Sequence, residues 1–139
     1  MIDFRIREVT IPAFLEQERV RWTRWIQRVA AVYGYRVGNV HYEFCTDEGE
    51  LEVNRQFLGH DYYTDVITFD YSTPSTLSGD IFISMDRVRE NAHLAQVSEE
   101  DVLRRIMIHG ILHLTGQGDK TPASKIEMTR KEDLALQMW

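Results

Sequence analysis

The stretch His109-Gly110-Ile111-Leu112-His113-Leu114-Thr115-Gly116-Gln117-Gly118-Asp119 decides how this chain is read. Ser98 and Asp101 carry a capping signature, so the apolar run that follows reads as a long helix ending near Leu114. Residues four apart share one face of such a helix, and His109 and His113 can therefore aim both imidazoles at one ion. Gly116 tolerates the left-handed conformation that ends a helix. Gly118 adds freedom just before Asp119, so the chain can turn back and return a carboxylate to the same point. Two nitrogens and one oxygen leave a position open for water, the pattern of a catalytic rather than a closed structural zinc site. An ion there lowers the pKa of its water toward neutrality, which makes that metal-bound water the expected nucleophile. A bare pair of histidines at this spacing is common on helices; Gly116, Gly118 and Asp119 turn it into a ligand set. Position 110 is glycine, whereas zinc proteases with two helical histidines carry there the glutamate that serves as general base. Peptidase chemistry of that kind has no proton acceptor here.

Working outward, Val66 to Asp70 and Gly79 to Ser84 are short apolar runs separated by a loop containing Pro74, and they read as antiparallel neighbouring strands. Ile2, Phe4 and Ile6 alternate with charged residues over 2–9, which predicts a strand. Pro12 suits the first turn of a helix whose apolar residues, from Leu15 to Tyr33, recur at helical spacing until Gly34. A second strand runs from Val37 to Cys45. Asp47 and Glu50 are spaced to open a helix through about Phe57, Asp86 to open one through about Ala95, and Thr121-Pro122 to start the last. In that last helix Ile126, Met128, Leu134 and Leu136 are the expected apolar contacts. The expectation is a single α+β domain over residues 1–139, with one mixed four-stranded sheet and about five helices.

The composition fits a compact core: 43% of residues are hydrophobic and 11% aromatic. The lone Cys45 excludes an internal disulfide and reads as a small buried residue. No apolar run approaches the ~18 residues that span a bilayer, and no signal-peptide core follows Met1, so the expected compartment is the cytoplasm, with no membrane partner. The net charge of −6 opposes indiscriminate binding to nucleic acid, yet leaves room for a local basic face.

The residues His109-Gly110-x-Leu112-His113-Leu114-x-Gly116 match the pattern HGxLHLxGxDH, and here the chain resembles the YbeY family of metal-dependent endoribonucleases. The segment Asn54 to Phe69 and the strand Gly79-Asp80-Ile81-Phe82-Ile83-Ser84 resemble two further family segments. The resemblance implies one zinc ion per chain and hydrolysis of single-stranded RNA. It also implies work on ribosomal RNA maturation and ribosome quality control, with the small ribosomal subunit and assembly factors as partners. A non-catalytic metal-binding assembly factor is the alternative, and a zinc peptidase a more distant one. The ligand layout is also similar to that of the metzincin proteases, as shared geometry.

The chain departs from the family pattern at three places. The family's third histidine falls at position 119, which is aspartate, and the aspartate before it is replaced by Gly118. Asp119 ligates through oxygen, which hardens the site and admits other divalent metals besides zinc. Many family members carry an arginine at the position of Leu58; the cation it supplies must come from elsewhere, with His60 nearest in sequence. Lys120 follows Asp119 directly and can screen its carboxylate or simply be solvated. Thr64 and Asp65 precede a buried strand and can line the cleft or start that strand. Asp80 is expected to support the fold or to orient a ligand histidine. Cations for RNA are expected from Arg21, Arg24 and Arg28, one stripe on the first helix, and from Arg104 and Arg105, one turn before His109. Trp22 and Trp25 fit a core stripe better than base stacking, and His41 and His93 have no partner pattern.

Overall fold

The computed structural model describes residues 1–59 and 66–139. Four strands form one mixed sheet: β1 (Ile2–Ile6), β2 (Arg36–Cys45), β3 (Val66–Asp70) and β4 (Thr76–Ser84). Their spatial order is β1-β2-β4-β3. β1 and β4 lie parallel to β2, while β3 runs antiparallel to β4 in the register Val66↔Ile83 to Asp70↔Gly79. The antiparallel pair forms as the sequence predicts, although β4 begins three residues earlier than expected.

Six α-helices are found among the described residues: α1 (Ala13–Gln17), α2 (Arg19–Val32), α3 (Asp47–Val53), α4 (Met85–Ala95), α5 (Glu99–Leu114) and α6 (Pro122–Gln137). The sixth arises because Glu18, at φ −126° and ψ 33°, leaves the helical region and splits the expected first helix in two. The helix from Asp47 also ends early: it changes at Asn54 into a π-helical turn, Asn54–Leu58, closed by Gly59 at φ 67°. Thr46, not Asp47, caps α3, and Ser84, not Asp86, caps α4; in each case the hydroxyl accepts an N–H of the first turn. The caps at Ser98 and Thr121 stand as read.

One face of the sheet carries the core. Val40, Tyr42, Phe44, Leu77, Ile81 and Ile83 pack against Trp22, Trp25, Ile26 and Val29 of α2 and Leu103, Met107, Ile108 and Ile111 of α5. Each fully buried apolar side chain contributes roughly 1.5–3 kcal/mol through removal from water. The buried Tyr42 hydroxyl donates to the Met107 carbonyl at 2.9 Å, and the Trp25 indole donates to the Ala135 carbonyl at 2.8 Å. Both tryptophans are therefore core. Gly110 is where α5 crosses β4: a Cβ there would stand 2.9 Å from the Ile81 side chain. That close approach holds the histidine end of α5 against the sheet.

The last helix is phased differently from the sequence reading. Ile126 and Leu134 are exposed, and the inward residues of α6 are Met128, Glu132 and Ala135. The spacing 128-132-135 is a proper helical stripe; of the expected contacts Met128 is buried and Leu136 packs half-buried against the core, while Ile126 and Leu134 fall on the other face.

Candidate metal centre

α5 delivers both histidines, and its C-terminal turn delivers the third group. Thr115 ends the helix, Gly116 takes φ +96°, and the Gln117 N–H returns to the Leu112 carbonyl at 3.1 Å. This reversal turns the Gln117 carbonyl back to His113 and brings Asp119 over the two rings. His109 Nε2 and His113 Nε2 lie 2.9 Å apart, and Asp119 Oδ2 lies 3.3 Å from each. These are the three groups that the sequence reading brought together, and they form a set able to hold one metal ion.

The outer side of each ring fixes what the inner side offers. His109 Nδ1 meets the Glu132 carboxylate at 2.6 Å, and His113 Nδ1 meets the Gln117 carbonyl at 3.0 Å. A carbonyl and a carboxylate only accept, so both Nδ1 atoms carry hydrogen, and each ring in its neutral form turns an Nε2 lone pair inward. Burial, and then the neighbouring His109, hold the His113 pKa below its usual value, with Asp119 pulling the other way. His113 is thus neutral and ready to ligate at pH 7. Three electron-pair donors that converge in this way repel one another unless a cation lies between them. Metal–nitrogen bonds of about 2.0–2.1 Å in a tetrahedral site would place donors about 3.3 Å apart; the two separations to Asp119 equal this, and the two imidazole nitrogens, at 2.9 Å, stand closer.

Glu132 is the functional residue that the sequence reading missed. It is buried on α6, and besides His109 it accepts from Arg105 at 2.8 Å. Such a carboxylate fixes the tautomer and raises the basicity of a ligand histidine. The role expected for Asp80 as orienting group is corrected accordingly, because both Nδ1 atoms are already held by Glu132 and Gln117. In the sheet register Asp80 alternates with Ile81, whose side chain packs on α5, so Asp80 projects from the opposite face. A lone glutamate within an otherwise mixed helix gave no signal; only its place in the buried stripe 128-132-135 distinguishes it.

The three donors stand at the side of an open cleft of about 420 Å³, whose far wall is Val66, Thr68 and Asp70 of β3, with Lys120 at its rim. These β3 residues share the α5 side of the sheet through the strand's alternation. Of the cationic residues expected for RNA, Arg105 alone borders the centre, beside His109 and Asp119, and none lines this cleft. Arg21 and Arg28 reach the carbonyls of Trp139 and Met138, Arg24 is exposed on α2, and none of the three lines the cleft. Arg104 pairs with Glu100 and Asp101, and Arg105 with Glu132 and Asp133. His60, Thr64 and Asp65 fall outside the described residues. Leu58 is exposed at the end of the π-helical turn. His41 pairs with Asp3 across β1 and β2, and Cys45 is buried.

The sequence profile described as Endoribonuclease YbeY matches residues 5–139. A curated "Endoribonuclease YbeY" of Bacteroides thetaiotaomicron is 48% identical over 137 residues, covering 99% of this chain and 98% of that protein. The protein of the same name from Cytophaga hutchinsonii is 44% identical over 140 residues, covering 96% of this chain and 98% of that one. Among solved structures, the solution structure of TM1509 from Thermotoga maritima superposes with a TM-score of 0.67 at 27% identity. It covers 99% of this chain and 88% of that one.

Proposed function

The chain belongs to the YbeY endoribonuclease family, and from that premise we propose that it is a metal-dependent endoribonuclease that cuts single-stranded RNA in ribosomal RNA maturation and ribosome quality control. The observation that carries this reading is the convergence of His109 Nε2, His113 Nε2 and Asp119 Oδ2 within 3.3 Å of one another at the side of an open, polar cleft. A divalent ion held by these residues, zinc in this reading, supplies Lewis acidity and an activated water for phosphodiester hydrolysis. The remaining work belongs to the chain. Glu132 and the Gln117 carbonyl lock the two rings in orientation. The reversal at Gly116 sets Asp119. β3 forms a wall opposite the histidines along which a single strand can lie; its partners in this reading are ribosomal RNA and the small ribosomal subunit with its assembly factors. No described helix is long and apolar enough to cross a membrane, and the proposed compartment is the cytoplasm. A peptidase reading finds no support: a side chain at position 110 would meet Ile81 in the core rather than a substrate.

The test is to purify the chain, measure its bound metal, and incubate it with single-stranded and duplex RNA beside His113→Ala. The expected result is cleavage of the single strand alone, lost in the variant and on chelation. Equal trace cleavage by both proteins, with metal bound to the wild type, would replace the enzyme by a non-catalytic assembly factor.

A further inference from the structure

A phosphodiester brought to this centre needs a cation from the protein, and the charges around the cleft are unequally available. Arg105 flanks the centre beside His109 and Asp119, but both ends of its guanidinium are bound, to Glu132 at 2.8 Å and Asp133 at 2.7 Å. Lys120 borders the cleft together with both histidines and Asp119. It is exposed, and no carboxylate among the described residues pairs with it. The cleft's other charged residues there, Asp70 and Asp119, are acidic.

We propose that Lys120 is the substrate-contacting cation of the cleft, its ammonium holding the non-bridging oxygens of the phosphate being cut. The inference rests on the endoribonuclease reading. In hydrolysis the oxygen of water bonds to phosphorus while the bond from phosphorus to one ribose oxygen breaks. That ribose oxygen takes a proton and leaves as an alcohol, and the second proton of water passes to solvent or stays on the new phosphomonoester. Negative charge on the non-bridging oxygens rises as the nucleophile adds. A compact ammonium with three rotatable donors stabilises that charge without demanding one geometry. Its place directly after Asp119, on a turn set by Gly116, keeps it close to the reacting phosphate while its exposed stem leaves the head mobile.

The experiment compares wild type, Lys120→Gln and Lys120→Arg for bound metal, thermal melting and kcat/KM on single-stranded RNA. Equilibrium binding of a labelled strand is then measured in a cleavage-silent His113→Ala background, with and without Lys120→Gln, across a salt series. The expected result is a loss of about 10- to 100-fold in kcat/KM for Lys120→Gln, smaller than for an enclosed oxyanion donor because Lys120 is open to solvent. Metal content and melting stay unchanged, Lys120→Arg recovers most of the rate, and the slope of log affinity against log salt falls by about 0.7, the loss of one phosphate contact on a single strand. Unchanged rate and slope would overturn the inference. So would a loss that tracks metal content, or one that arginine fails to recover. If wild type itself leaves RNA intact while retaining metal, the endoribonuclease reading falls, a result separable from any difference between wild type and Lys120→Gln.

Discussion

The two ends of α5 use carboxylates for opposite purposes. Toward its N-terminus, Arg104 and Arg105 are each gripped by two acidic side chains, and their charge is spent within the protein. Toward its C-terminus, His109 is held by an acid on its outer nitrogen, which leaves the inner nitrogen directed at a point that His113 and Asp119 also address. Glu132 takes part at both ends, since one oxygen receives Arg105 and the other His109. A carboxylate beside a guanidinium consumes it as a binding group. The same carboxylate beside an imidazole prepares it, because a ring with two nitrogens can be oriented by one and act with the other.

The contrast breaks most severely at the inner nitrogens. His113→Ala removes one of three donors, and cleavage is expected to fall by more than about 100-fold, beyond what loss of an orienting partner costs. Zinc at a hundredfold excess over Kd should stabilise wild type by about 2.7 kcal/mol, on the order of 10 °C in Tm, and His113→Ala by far less. A thermal melt with and without metal checks this independently of RNA. Next comes the shared acid. Glu132→Gln keeps the size of the side chain but weakens its hold on His109 Nδ1, and metal affinity is expected to drop about 10- to 100-fold in competition with a chelator. The same variant loosens Arg105, so a modest loss of stability accompanies it.

What the sequence made legible follows the same division. His109, His113 and Asp119 lie within eleven residues, and the rules that bring them together are local: helical spacing, a left-handed glycine, a short return. The caps at Ser98 and Thr121 and the antiparallel pairing of β3 with β4 are local too, and they were readable. Glu132 stands 23 residues beyond His109, on a helix whose phase was misjudged because Ile126 and Leu134 looked more apolar than the residues that turn inward. Arg105 looked like an RNA surface for a related reason, whereas the partners of Arg104, Glu100 and Asp101, stand at local helical spacing. The partners of Arg105 are 27 and 28 residues away, and packing of α6 on α5, not any spacing in the chain, brings them there. The break at Glu18 and the π-helical turn at Asn54 left no mark in hydrophobic periodicity either.

The backbone between the histidines offers a smaller test. Gly110→Ala gains about 1 kcal/mol in helix propensity. It also places a methyl group 2.9 Å from Ile81 Cδ1 and 3.0 Å from Cγ2, inside a core whose overpacking costs about 1–3 kcal/mol. The steric cost outweighs the gain, and chemical denaturation should register a net loss of about 1 kcal/mol. Because the strain falls between the two ligands, metal affinity should weaken with it; an unchanged chelator competition would show that the histidine end of α5 can shift as a unit.

The smallest expected effect on the metal and on RNA binding is at the arginine end, and it bears most directly on the contrast. If the charge of Arg104 is spent on Glu100 and Asp101, at 2.8 and 2.9 Å, replacing it by glutamine removes no phosphate contact. Arg104→Gln should therefore leave the salt slope of RNA binding where it was, within about 0.2 of a unit, whereas a true single-strand contact would lower it by about 0.7. Its ion pairs lie within one helix and contribute roughly 0.3–0.5 kcal/mol each. Loss of the guanidinium that lies 4.4 Å from the Trp139 ring adds about 0.5–1 kcal/mol. The variant should thus melt about 4–7 °C earlier and still bind RNA equally well. A fall in the slope instead would mean that those carboxylates release the arginine when RNA arrives, and the two ends of α5 would then differ in when their charges become available rather than in whether they do.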